Sequence, residues 1–238
     1  MSANEPFTKD NLDLYLKELA KVFRRLNGKE MPAEIILIGG ASVLANYGFR
    51  DMTYDVDAVI MASSVMKEAI SQVGDIFHLP NGWLNTDFDR TSSFSPKLVE
   101  FSKYYKRFSN VLTVRTISAE YLIAMKLMSG RKYKNDISDI AGILLEHEKR
   151  GNPITLEQIR LACTNLYGSF DRIPRDSVSI LEDILASRSL EDLYWQLRTE
   201  EKDNMAILID FNGNHPGEAA GDNVDALLKL LQAKKDEK

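Results

Sequence analysis

The chain has 238 residues, 44% hydrophobic and 27% charged, a balance that excludes a disordered or membrane-embedded class and leaves room for one large domain or two small ones. A formal net charge of −5 argues against a broad basic surface for duplex DNA, although Lys97, Lys103, Lys106 and Arg107 form a local basic cluster in sequence. The single cysteine, Cys163, cannot make an internal disulfide and reads as a buried free thiol in a reducing cytoplasm. The first residues, MSANEPFTKDNLD, show no basic segment leading into an apolar core, and no window approaches the roughly 20 apolar residues that span a bilayer. A cytoplasmic protein without membrane insertion is therefore expected.

Taken in chain order, residues 11–26 place Leu12, Tyr15, Leu16, Leu19, Val22, Phe23 and Leu26 at helical spacing, stopped by Asn27-Gly28. Residues 34–38 form a short, β-branched apolar run that suits an internal strand. Gly39-Gly40 then lets the backbone turn sharply into a helix over 41–47. Residues 53–61 alternate as a second strand, with Asp55, Asp57 and Val59 on one face and Val56, Ala58 and Ile60 on the other. A helix over 65–73 precedes a long irregular connection over 78–95, and 98–103 and 111–117 read as further strands.

From Ser118, a capping residue, the pattern turns helical: Tyr121, Leu122, Met125 and Met128 share one helix, and 137–145 continues the period. Thr155 with Gln158 makes a capping-box pattern for the next helix, and short helices follow over 178–185 and 190–197. Residues 205–211 read as a strand, 212–222 as a polar loop, and 224–231 as a closing helix. The expected class is α+β: a small mixed sheet with flanking helices over 1–117, a helical region over 118–204, and a strand, loop and helix over 205–238 that pack on one of them.

The chemistry concentrates between Ile35 and Ile60, IILIGGASVLANYGFRDMTYDVDAVI. Residues two apart on a strand sit about 6.5–7 Å apart on one face, so Asp55 and Asp57 can converge on a hard cation such as Mg²⁺, which takes oxygen ligands. Gly39, Gly40 and Ser42 supply the complement: free N–H groups at a helix start, little steric bulk, and a hydroxyl that can meet phosphate. An acid pair on an otherwise apolar strand would be costly without a compensating cation.

This strand, GGAS turn, helix and D-x-D strand resembles the nucleotidyltransferase superfamily with its polymerase-β-like fold, and in particular the AbiEii-type and related uncharacterised bacterial members. The resemblance implies that Asp55 and Asp57 bind Mg²⁺ or Mn²⁺ and that Gly39, Gly40, Ser42 and Thr53 hold an NTP. Arg50 lies one residue farther from Thr53 than that pattern asks. The likeness continues through SAEYLIAMKLMSGRKYKNDISDIAGIL, which implies catalytic and nucleotide-binding roles for Lys126 and carries over Asp136, Asp139 and Arg131. Asp136 and Asp139 share one helix face, which would otherwise be a solvated charged face.

Superfamily members place a third carboxylate on a later strand, and VLTVRTI (111–117) has none. Glu100 could supply it if 98–103 is the neighbouring strand, whereas Asp87 and Asp89 fall in a loop. Trp83, Tyr104, Tyr105 and Phe108 either stack a base beside Lys103, Lys106 and Arg107 or pack in the core. No G-x-S-x-G elbow, dinucleotide fingerprint or P-loop occurs, and the histidines lack zinc-like spacing with Cys163. Two functions remain open at this stage. One is a Mg²⁺-dependent enzyme that moves a nucleoside monophosphate from an NTP to a hydroxyl on an RNA end, protein or small molecule, and by resemblance the toxin partnered by an antitoxin protein. The other is an inactive relative that binds a nucleotide or a protein.

Overall fold

The computed structural model describes residues 5–29, 31–219 and 223–236. Its elements run α1 (Lys9–Asn27), β1 (Ala33–Leu37), α2 (Gly39–Asn46), β2 (Val56–Met61), α3 (Val65–Phe77), β3 (Leu84–Asn85), β4 (Ser102–Phe108), β5 (Leu112–Ile117), α4 (Ala119–Ser129), α5 (Asp136–Lys149), α6 (Leu156–Tyr167), α7 (Arg175–Ala186), α8 (Leu190–Asn214) and α9 (Val224–Asp236). The chain divides into two compact units, one of residues 1–125 with 157–170 and one of 126–156 with 171–238.

The first unit is built on a five-stranded mixed sheet in the order β3-β2-β1-β5-β4. β1 runs antiparallel to β2 and parallel to β5, while β3 is parallel to β2 and β4 antiparallel to β5. Alternation along the strands sends Ile35, Leu37, Val56, Ala58, Leu112 and Val114 to one face. There they join Leu16, Leu19 and Phe23 of α1 and Ala69 and Val73 of α3 in a single apolar cluster. A reciprocal capping box starts α1: the Asn11 N–H donates to Thr8 Oγ1 at 3.4 Å and the Thr8 N–H donates to Asn11 Oδ1 at 2.8 Å.

The second unit is helical. Within it the α5 backbone N–H groups of Ile137 and Ser138 donate to the Glu201 carboxylate of α8 at 2.7 and 3.3 Å, tying the two helices together. Leu208 of α8 packs with Val224 and Leu228 of α9.

Three expectations need correction. Residues 205–211 are not a strand but part of the 25-residue α8, whose Tyr194, Glu201 and Leu208 are buried seven residues apart, the spacing of one helix stripe. The strand expected over 98–103 starts later: Pro96–Val99 is a 3₁₀ turn and β4 begins at Ser102. Finally, the second strand begins at Val56, and Thr53 instead forms an isolated bridge with Phe7.

Candidate functional site

β1 delivers the chain to α2 at Ile38, whose extended backbone (φ −122°, ψ 170°) is followed by Gly39 at φ +51°, a left-handed geometry that glycine adopts without strain. The Ile38 N–H donates to the Asp57 carbonyl at 2.9 Å, so the α2 start and β2 are fastened where Asp57 stands. A Cβ on Gly39 would lie 3.9 Å from Asp57 Oδ2. The Asp57 carboxylate therefore sits against the start of α2, whose first N–H groups have no intrahelical acceptor. Carboxylate and helix terminus together form the place where a cation and an anion could be held side by side.

Gly40 is a second close approach. A Cβ there would stand 2.8 Å from Thr53 Oγ1 and 2.9 Å from Arg50 Nη2, so only glycine leaves room for those two side chains. Thr53 is held by paired backbone bonds with Phe7 at 2.7 and 2.9 Å, and its hydroxyl donates toward the Asp55 carbonyl and Oδ1, each at 3.2 Å. Thr53 thereby orients Asp55, which is exposed immediately before β2, while Asp57 is half-buried. The arrangement brings together Gly39, Gly40, Thr53, Asp55 and Asp57, and adds Arg50, whose guanidinium reaches Gly40 although its spacing in sequence departs from the family pattern.

The Ser42 hydroxyl has a different task from meeting phosphate. It is fully buried and accepts the Ile117 N–H at 3.0 Å, pinning α2 to β5. Glu100 does not complete an acid triad. It is exposed after the 3₁₀ turn and leads into β4, which lies three strands from β2, or about 14 Å at normal strand spacing. By register, β5 presents Arg115 on the sheet face of Asp57, with its guanidinium bonded to Ser102 Oγ and O at 2.8 and 2.6 Å. Among the described residues no group of three His, Cys, Asp or Glu is placed to hold an ion. The Asp57 carboxylate beside the helix start, with Asp55 two residues before it, would suit one Mg²⁺, an ion that commonly keeps several waters and is held by one or two carboxylates plus phosphate oxygens. The two acids do not fit a second ion that needs a third carboxylate.

Lys126, Asp136 and Asp139 lie in the second unit and share a buried cluster rather than a solvated face. Lys126 is 6% exposed and its ammonium is 2.8 Å from both Asp136 Oδ1 and Asp139 Oδ2. Arg131 Nε reaches Asp136 Oδ2 at 2.8 Å. Burial alone would raise the pKa of Asp136, but the Lys126 ammonium and Arg131 guanidinium outweigh it and hold the carboxyl well below the usual range. Within the second unit the Lys126 charge is thus already balanced by two carboxylates.

Of the four aromatic residues, Trp83 is buried and lies about 6 Å from the rings of Phe7 and Tyr15, at 6.1 Å in each case. Tyr105 and Phe108 pack against the core and Tyr105 donates to Asp13 Oδ1 at 3.0 Å, while Tyr104 alone is exposed, at 65%. Asp87 and Asp89 occupy a 3₁₀ turn over Asp87–Arg90 directly after β3.

A mixed sheet carrying a glycine turn into a helix, with Asp55 just before the next strand and Asp57 within it, is the arrangement by which the chain resembles nucleotidyltransferases. The family of nucleotidyltransferases of unknown function (DUF6036) matches residues 15–151, more than half of the chain, and the protein belongs to that family. No curated protein and no solved structure matched the chain. No helix among the described residues is long and apolar enough to cross a membrane.

Proposed function

We propose that the protein is a cytoplasmic, Mg²⁺-dependent nucleotidyltransferase that moves a nucleoside monophosphate from an NTP to an acceptor hydroxyl. The observation that carries this reading is the Asp57 carboxylate against the Gly39-Gly40 helix start, with Asp55 two residues away. Asp55 and Asp57 would hold the ion. When bound, Mg²⁺ offsets triphosphate charge and aids departure of pyrophosphate. The N–H groups at Gly39 and Gly40 take phosphate oxygens, Arg50 adds positive charge beside them, and Thr53 keeps Asp55 in place. The acceptor oxygen bonds to the α-phosphorus, the bond to the β-phosphate oxygen breaks, and the hydroxyl proton passes to solvent. The resemblance to AbiEii-type proteins supports an RNA end or a protein as acceptor and a toxin restrained by an antitoxin protein; that step is analogy.

The lack of a three-acid cluster among the described residues favours one rival, a protein that binds the nucleotide without transferring it. The two readings part when native protein and Asp57→Ala are incubated with each labelled NTP, Mg²⁺ or Mn²⁺, and total RNA or protein. Transfer by the native chain and its loss by at least a hundredfold in the variant is the expected result. Equal transfer by both, or tight nucleotide binding with no transfer, overturns the enzyme reading.

A further inference from the structure

β3 is only two residues long, Leu84 and Asn85, yet it is held with care. Trp83 before it is buried and its indole N–H donates to the Ile70 carbonyl at 3.0 Å. Leu84 is buried opposite Val56, and both join the apolar cluster beneath the sheet. Strand alternation then turns the next pair, Asn85 and Asp57, to the opposite face in direct register. Their Cα atoms are separated by about one strand spacing, roughly 4.8 Å.

β2 lies between β1 and β3, so Asp57 is flanked on one side by the Gly39 helix start that follows β1 and on the other by Asn85. The Asn85 amide is fixed in orientation: Oδ1 accepts the Asp87 N–H at 2.9 Å and Nδ2 donates to the Gly82 carbonyl at 3.3 Å. One amide proton and one oxygen lone pair remain, and the residue is half-exposed. A neighbour that only accepts, such as phosphate, would use the proton alone. A hydroxyl both donates and accepts and matches the pair.

We propose that Asn85 is a nucleotide-selecting residue whose amide, beside Asp57, hydrogen-bonds a sugar hydroxyl of the bound NTP. The proposal rests on the nucleotide-site reading above and adds the group that distinguishes ribonucleotides from their deoxy counterparts. A site that pairs a substrate hydroxyl disfavours the analogue lacking it, because its own polar groups are left unmatched. At a half-exposed position the discrimination is about tenfold.

The test is calorimetric binding of ATP, GTP, CTP and UTP, each beside its 2′-deoxy and 3′-deoxy analogue, with Mg²⁺ and the full chain. Native protein is compared with Asn85→Asp and Asn85→Ala, and melting temperatures are recorded alongside. Asn85→Asp keeps an oxygen for the Asp87 N–H, while it gives up the bond to the Gly82 carbonyl and replaces the amide donor with an anion opposite Asp57. The expected result is a roughly tenfold native preference for one ribonucleotide over a deoxy analogue, lost in both variants while each still melts cooperatively above the temperature of the titration. Native protein that binds NTP without such a preference overturns the proposal. So do variants that keep the preference, and variants that weaken ribo and deoxy forms equally, which would make Asn85 a turn residue only. Native protein that binds no NTP at all refutes the nucleotide site itself, a separate outcome.

Discussion

Gly40 shows how little space the site leaves for change. A methyl group there meets Thr53 Oγ1 and Arg50 Nη2 inside 3 Å. Arg50 can swing its flexible end away, but Thr53 is tied to Phe7 through its backbone. Gly40→Ala is expected to cost about 1–3 kcal/mol, the range for overpacking a filled site, and to weaken NTP binding by displacing the guanidinium. Thermal unfolding and calorimetry read the two effects separately; native values in both would show that the cradle is slack. The face of Asp57 is legible because strand alternation sets it opposite Val56 and Ala58, whereas Asp55 precedes the strand and is held by the Thr53 hydroxyl instead. Arg50 lies off the family spacing in sequence, and Asn85 falls in the stretch over 78–95 that reads as an irregular connection. Their places beside Gly40 and Asp57 come from packing and strand pairing between segments distant in sequence, which no local period encodes.

Among the elements, the α5 N-terminus gathers two buried carboxyl groups, Asp136 of its own and Glu201 of α8, that respond to pH in opposite directions. Glu201 is buried at the α5 N-terminus, and that burial, aided by the nearby Asp139 charge, pushes its pKa from 4.5 up to about 8 despite the backbone N–H groups that favour the anion. The folded state then holds a proton that the unfolded state has released. This contribution is fully present below about pH 4.5 and is lost as pH rises through about 8, by an amount on the order of a few kcal/mol. Asp136 has the opposite sign: its depressed pKa stabilises above the ordinary value of 3.8 and fades as pH falls below it. Stability should therefore peak on the acid side of neutrality. Glu201→Gln should flatten the decline between pH 5 and 8 in denaturant titrations, and an unchanged slope would refute the assignment. Asp136→Ala leaves Lys126 and Arg131 short of a buried partner and should cost about 3–5 kcal/mol, seen as a fall in melting temperature. The helical period of α5 was legible from its apolar residues. The burial of its acids was not, because Asp136 and Asp139 read equally well as a solvated face until Lys126 and Arg131 are placed against them. Residues 205–211 misled for a related reason: MAILIDF is apolar enough for a strand, and only the stripe running back through Glu201 to Tyr194 assigns it to a helix.

For the molecule as a whole, chain order and compact unit part company. β1, β2, β5 and the helices α1 to α3 follow from alternating and helical periods along residues 9–117, whereas β3 lies in a stretch that reads as irregular and β4 starts later than expected, and the first unit also takes in 118–125 and 157–170. Phe101 stacks on Tyr121 of α4 with ring centroids 3.9 Å apart, and the Asn165 amide donates to the Tyr121 hydroxyl at 2.8 Å. The Tyr167 hydroxyl donates to the Ser93 carbonyl and the Ser95 hydroxyl to the Leu166 carbonyl, at 2.8 and 2.9 Å. These bonds hold the long connection between β3 and β4, a stretch with no strand or α-helix of its own to hold it. Sequence periodicity finds each helix but not every end, since residues 190–197 are only the start of α8, and it carries no mark that α6 belongs with the sheet. A fragment ending at residue 117 would strip this support and expose Phe101, so it is expected to unfold in urea over a broad, shallow transition with a reduced m-value. A fragment ending at residue 170 keeps every contact named here and is expected to retain a steep transition for the sheet-bearing unit. Equally steep transitions from the two fragments, followed by circular dichroism, would show that α4 and α6 are dispensable to that unit.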